Sequence, residues 1–167
     1  MKKLIKDHGA AIMRNEEFIT NGHWVFFSKF FDEYFRLPKS RQVSLMNGTF
    51  TARLFFGESR YLDLPAVAPT GILQDTGEIV LYGEGFERGA AFVNREYLEM
   101  VRPFELRFSE ALNVVYVLNG DKAVGAVKPM SHGDTEALAD VLEGIAGHLR
   151  SMGPGEGSKD EETTWRP

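Results

Sequence analysis

The chain has 167 residues, a formal charge of −5, 13 phenylalanines and no cysteine. That length fits one domain, or two small halves sharing a core. The missing cysteine excludes a disulfide scaffold, a Cys-ligated zinc site, an iron–sulfur cluster and a thiol nucleophile. The acidic balance argues against a generic DNA- or membrane-coating protein, and no apolar run approaches the roughly 20 residues of a membrane span.

The opening stretch, Met1 to Gly9, is basic but lacks an apolar core of signal-peptide length. It argues against a secretory signal, and with the absent cysteines it points to a reducing, cytoplasmic setting. His23 at the head of a strand reads as a turn or edge residue rather than a ligand. Trp24 to Phe27 leads into a helix over about Ser28 to Arg36, with Ser28 as cap and Pro38 beyond its end. Phe30, Phe31, Tyr34 and Phe35 give that helix an apolar face. Strands are expected at Gln42 to Met46 and, after an Asn47-Gly48 turn, at Phe50 to Phe56, where apolar and polar residues alternate; Arg60 to Leu64 is a third.

Residues 66 to 78 read as a turn-rich linker that carries Ile72 and Leu73, either buried between halves or part of a groove. Ile79 to Tyr82 is strand-like. The Gly-rich run from Gly83 to Gly89 superficially matches a phosphate loop, but it leads into a strand rather than a helix and reads as a hairpin connection. A second helix spans about Asn94 to Arg102, capped by Asn94 and stopped by Pro103. Strands follow at Phe104 to Phe108, Val114 to Leu118 and Ala123 to Val127, the last two joined through Asn119-Gly120. Residues 131 to 150 form an amphipathic helix with Leu138, Val141, Leu142, Ile145 and Leu149 in one stripe, which either packs on the body or builds a dimer seam. Residues 151 to 167 are Gly-rich and then acidic, with Trp165 as their one large apolar side chain, and read as a disordered tail.

The two internal helices stand in matching surroundings. Trp24 to Arg36 aligns without gaps on Ala90 to Arg102 at an offset of 66 residues: Phe26 on Phe92, Ser28 on Asn94, Glu33 on Glu99, Arg36 on Arg102. Both halves, about 12–65 and 79–130, read strand, helix, strand, strand, strand, closing on Pro65 and Pro129. One half is too small to close a core. Two would form an α+β domain over residues 1–130: duplicated βαβββ halves making an antiparallel sheet, with two helices on one face and the phenylalanines between the layers.

This pattern resembles the DNA sliding clamps, whose domains pair strand–helix–three-strand halves. The residues that carry the resemblance are Phe92, Asn94, Tyr97, Leu98, Val101, Glu105 to Phe108, Val114 to Val117 and Val124 to Met130, over about residues 80–130 and more loosely 12–65. It implies a non-catalytic binding or assembly module, accessory to replication, recombination or a mobile element. Its partner would be a protein, with homo-oligomers as a further expectation. Pro129 and Met130 match the strand ending beside which clamps take short peptides, and Ile72 and Leu73 would complete such a groove. Lys29, Arg36, Arg95 and Arg102 would be the nucleic-acid contacts. They are offset on the same helices by Asp32, Glu33, Glu96 and Glu99, so DNA binding is expected to be weak.

No catalytic, metal or cofactor motif emerges. His8, His23, His132 and His148 show no metal-ligand spacing, and the carboxylate pairs Glu16-Glu17 and Glu161-Glu162 sit in polar stretches. The alternative is a small-ligand-binding or enzymatic α+β domain whose site is assembled from scattered residues.

Overall fold

The computed structural model describes residues 1–5, 11–45, 56, 60–86 and 88–130, with Gly147, Arg150 and Ser151 further on. The chain divides into two compact units, Met1–Met130 and Ser131–Pro167. In the second unit the three described residues are helical. The rest of the expected C-terminal helix and tail, and the strand at Phe50 to Phe56 save for Phe56 itself, lie outside the described residues.

The first unit is mixed α and β, with strands predominating. In chain order the strands are β1 (Lys3–Leu4), β2 (Ile12–Arg14), β3 (Phe18–Thr20), β4 (Trp24–Phe27), β5 (Phe35–Arg36), β6 (Val43–Leu45), β7 (Val67–Gln74), β8 (Gly77–Tyr82), β9 (Gly89–Asn94), β10 (Glu105–Ser109), β11 (Val114–Asn119) and β12 (Lys122–Val127). Among the described residues of this unit the α-helices are α1 (Ser28–Tyr34) and α2 (Arg95–Val101). One sheet of seven strands has the order β10-β11-β12-β4-β3-β2-β6; β7-β8-β9 form a second, and β1 and β5 a short parallel pair. Among the described strands, neither larger sheet closes into a barrel. They are linked where Phe108 N–H donates to Pro65 C=O at 2.9 Å beside the Ala66–Arg107 bridge.

Alternation along β11 sorts two apolar layers. Val115 and Val117 join the main core with Trp24, Phe26, Phe30, Phe31, Phe35, Leu98 and Val101. Val114, Tyr116 and Leu118 face the other side, where Tyr61, Leu64 and Phe56 cover them. Aromatic rings dominate the first layer. Phe104, just past α2, lies 5.2 Å from Phe30, 5.4 Å from Tyr34 and 6.4 Å from Phe35, so it joins the two helical units.

Local chemistry accounts for the differences from expectation. The linker at 66–78 is instead β7 and the start of β8. Its turn-like residues are absorbed by a register shift between Pro69 and Leu73, with Gly71 at φ +75°. Arg60 to Leu64 is a 3-10 turn (Tyr61–Asp63) rather than a strand, because the Arg107 guanidinium takes the carbonyls of Leu62 and Leu64 at 3.1 and 2.9 Å. Ser28 is the first helical residue, not the cap. Its N–H already donates to Glu17 C=O at 2.8 Å and its hydroxyl to Asn15 C=O at 3.0 Å. Asn94 caps α2 as expected, accepting from Glu96 N–H at 2.9 Å. The Gly83–Gly89 run is the β8–β9 connection.

Two glycines are required by close packing rather than by turns. A Cβ on Gly125 would stand 2.1 Å from Phe26 Cδ1, and one on Gly77 would stand 2.1 Å from Phe92 Cζ. Gly125→Ala is therefore expected to destabilise the protein by about 1–3 kcal/mol, the usual range for overpacking. Urea unfolding measures this, and combining it with Phe26→Leu should recover part of the loss.

Candidate functional site

Among the described residues, α1, α2 and the strand between them form a surface that gathers charged side chains around a cavity. Helix α1 exposes Lys29, Asp32 and Glu33, and α2 exposes Arg95, Glu96 and Glu99. Strand β1 runs parallel to β5, with Lys3 opposite Phe35 and Leu4 opposite Arg36. Ile5 N–H donates to Arg36 C=O at 3.0 Å. On its other flank the Lys3 ammonium donates to the Glu99 carbonyl of α2. A cavity of about 440 Å³ remains between β1 and α2, lined by Lys3, Leu4 and Ile5 on one side and chiefly by Arg95, Tyr97, Glu99 and Met100 on the other.

The hold on β1 is small. Ile5 is 5% exposed, whereas Lys3 and Leu4 lie open. Burying one isoleucine contributes about 1.5–3 kcal/mol. Fixing three backbone residues costs about 1–2 kcal/mol each. A ladder of two residue pairs adds little, so the segment sits near balance between docked and released.

Two ion-pair systems border this surface. Arg14 of β2 engages Asp32 through two parallel bonds of 2.8 and 2.5 Å. The Arg14 hydrogen bond holds the Asp32 carboxyl below its ordinary range, with partial burial opposing; the same bond raises Arg14. Arg102 reaches Glu99 at 2.8 Å and Glu78 at 3.4 Å. Glu78 is 1% exposed and its other oxygen accepts from Gly71 N–H at 2.8 Å. A buried carboxylate needs such partners. Arg102 thus ties the end of α2 to the β7–β8 hairpin.

The structure distributes the expected site residues unevenly. Arg36 and Arg95 flank β1 from its two sides, Lys29 stands on the open side of α1, and Arg102 serves the Glu78 network. Pro129 is buried and Met130 is 37% exposed, its N–H donating to Phe92 C=O at 2.7 Å. Leu73 is 46% exposed and pairs with Glu78, while Ile72 is half-buried beside it. Strands β8 and β9 separate that pair from Met130. Sequence spacing did not reveal Lys2, Lys3 and Arg14, which reach the helices from the N-terminal strands; Lys2 lies close enough to Asp32 to favour its charged form. For Lys2 and Lys3 the sequence signal is the basic opening stretch; Arg14 lies beyond it and has none.

Among the described residues, no group of three or more His, Asp or Glu side chains is arranged to hold a metal ion, and no helix is long and apolar enough to cross a membrane. Comparison with known proteins finds no matching family model, no matching curated protein and no matching solved structure.

Arg14→Gln should return the Asp32 pKa toward its ordinary value of 3.8, as followed by carboxyl NMR titration. A depressed carboxylate stabilises the fold above its unfolded pKa and loses that effect as pH falls through the folded value. The stability gap between wild type and Arg14→Gln should therefore be full at neutral pH and close in acid.

Proposed function

We propose that this chain is a non-catalytic, clamp-like binding or assembly module built from two βαβββ units, accessory to replication, recombination or a mobile element. The observation that carries this reading is reciprocal strand pairing. The unit β9-α2-β10-β11-β12 is strand, helix and three strands in unbroken order. Its last strand pairs antiparallel with β4, which leads into α1; the strand that pairs antiparallel with β9, which leads into α2, is β8. Each helix-leading strand thus takes the closing strand of the other unit. In each case a phenylalanine, Phe26 or Phe92, lies over a glycine of that closing strand. On this reading the first βαβββ half ends with β7 and β8, later than the sequence pattern suggests. Both helices bury side chains in one aromatic core.

The proposed contact surface is the pair of helices with β1 between them. The helices' own charges cancel, but Lys2, Lys3 and Arg14 add cations beside them. Duplex DNA should bind weakly at low ionic strength, with affinity falling by a log–log salt slope of about −0.9 per phosphate contacted. Fluorescence anisotropy at two salt concentrations measures this. The double variant Lys29→Glu with Arg95→Glu should lose the binding, and no binding by wild type at low salt would end the nucleic-acid branch. Light scattering tests the homo-oligomer that the resemblance implies, which a stable monomer at all concentrations would exclude.

A further inference from the structure

We infer that Lys3–Ile5 is a displaceable occupant of a strand-docking slot between β5 and α2, and that the slot takes the same segment from a second copy of this chain. The slot has three parts. The backbone edge of β5 supplies the parallel ladder to Lys3 and Leu4 and the carbonyl that receives Ile5 N–H. The last turn of α2 supplies the Glu99 carbonyl, which receives the Lys3 ammonium at the helix end where carbonyls lack intrahelical partners. The apolar core supplies a seat for the Ile5 side chain.

The present occupant is weakly retained and does not fill the space. Lys3 and Leu4 are exposed, the ladder has two residue pairs, and a cavity of about 440 Å³ stays open between the segment and α2. Release leaves a bare strand edge next to an apolar seat, which is the arrangement that accepts an added strand. The slot already fits one sequence, a lysine for the helix end followed by an exposed and a buried apolar residue. A second copy presents that sequence with every contact reproduced, so exchange requires no new complementarity. These arguments rest on β1, β5 and α2 alone and do not depend on the clamp-like reading.

The test uses the full chain, a chain lacking Met1–Ile5, and a fluorescent synthetic peptide of those five residues. Light scattering of the full chain should show a dimer that grows with concentration and is lost in Ile5→Asp. The peptide should bind the shortened chain saturably, and the full chain about two- to tenfold more weakly because the resident segment competes. A peptide carrying Ile5→Asp should not bind. If circular dichroism shows the shortened chain unfolded, the full-length Ile5→Asp chain takes its place in the titration. By hydrogen exchange in the full chain, the Ile5 amide should open about a hundredfold more readily than that of Val117 in the core. Absence of saturable peptide binding, an unchanging monomer mass, a dimer that persists in Ile5→Asp, or Ile5 protection equal to that of Val117 would each overturn the proposal.

Discussion

The first unit depends on one pairing between distant parts of the chain, β12 against β4. Gly125, Ala126 and Val127 lie opposite Phe26, Val25 and Trp24, and Lys128 N–H extends the contact to His23 C=O at 2.7 Å. Without it the seven-stranded sheet falls into two pieces of three and four strands. Closing so long a loop is not prohibitive, since each doubling of loop length adds only about 0.6 kcal/mol. The side chains brought together more than offset it. Trp24, Phe26 and Val127 are each essentially inaccessible, and each contributes about 1.5–3 kcal/mol by burial. The glycine at 125 is what lets the Phe26 ring lie flat across the neighbouring strand.

Once that pairing is made, the same terminal strand reaches the second sheet, because Met130 N–H donates to Phe92 C=O. The aromatic layer then joins the two helical units through Phe104, while Tyr82 packs on Phe108 at 4.2 Å across the other link between the sheets. The 13 phenylalanines of the composition are therefore a packing requirement of short elements. A seven-residue helix offers few positions to its core, and large rings bury the most area from each.

What was legible in the sequence follows from this. β11 and β12 carry β-branched runs around a turn whose Gly120 has φ +68°, and both read correctly. Asn94 announced α2. The strand at Val67–Gln74 did not read as one, since Pro69 and Gly71 break its pattern. Proline is tolerated there because, among the described strands, β7 is an edge strand paired with β8, and the bulge accommodates the glycine. Strands of two or three residues, such as β1, β2 and β3, are too short for any periodic signal. The candidate surface was half legible for the same reason. Its helices could be found by spacing, but the strand between them is placed by tertiary contacts that no local pattern encodes.

Charge shows how much that placement matters. Counted along the helices, cations and carboxylates cancel. Counted by contact, Arg102 belongs to the buried Glu78 and to Glu99, and Asp32 is matched by Arg14 from a neighbouring strand. Among the described residues, the other charges on this surface are Lys2, Lys3, Lys29, Arg36 and Arg95 with Glu33 and Glu96. The chain's −5 is an average over the whole molecule, whereas a ligand meets only the field within about 8–10 Å of its contact surface at ordinary salt. A docked β1 therefore does more than occupy a strand edge. It brings Lys3, and Lys2 just before it, onto the helical surface, so its release would cut the surplus of cations over carboxylates there from three to one.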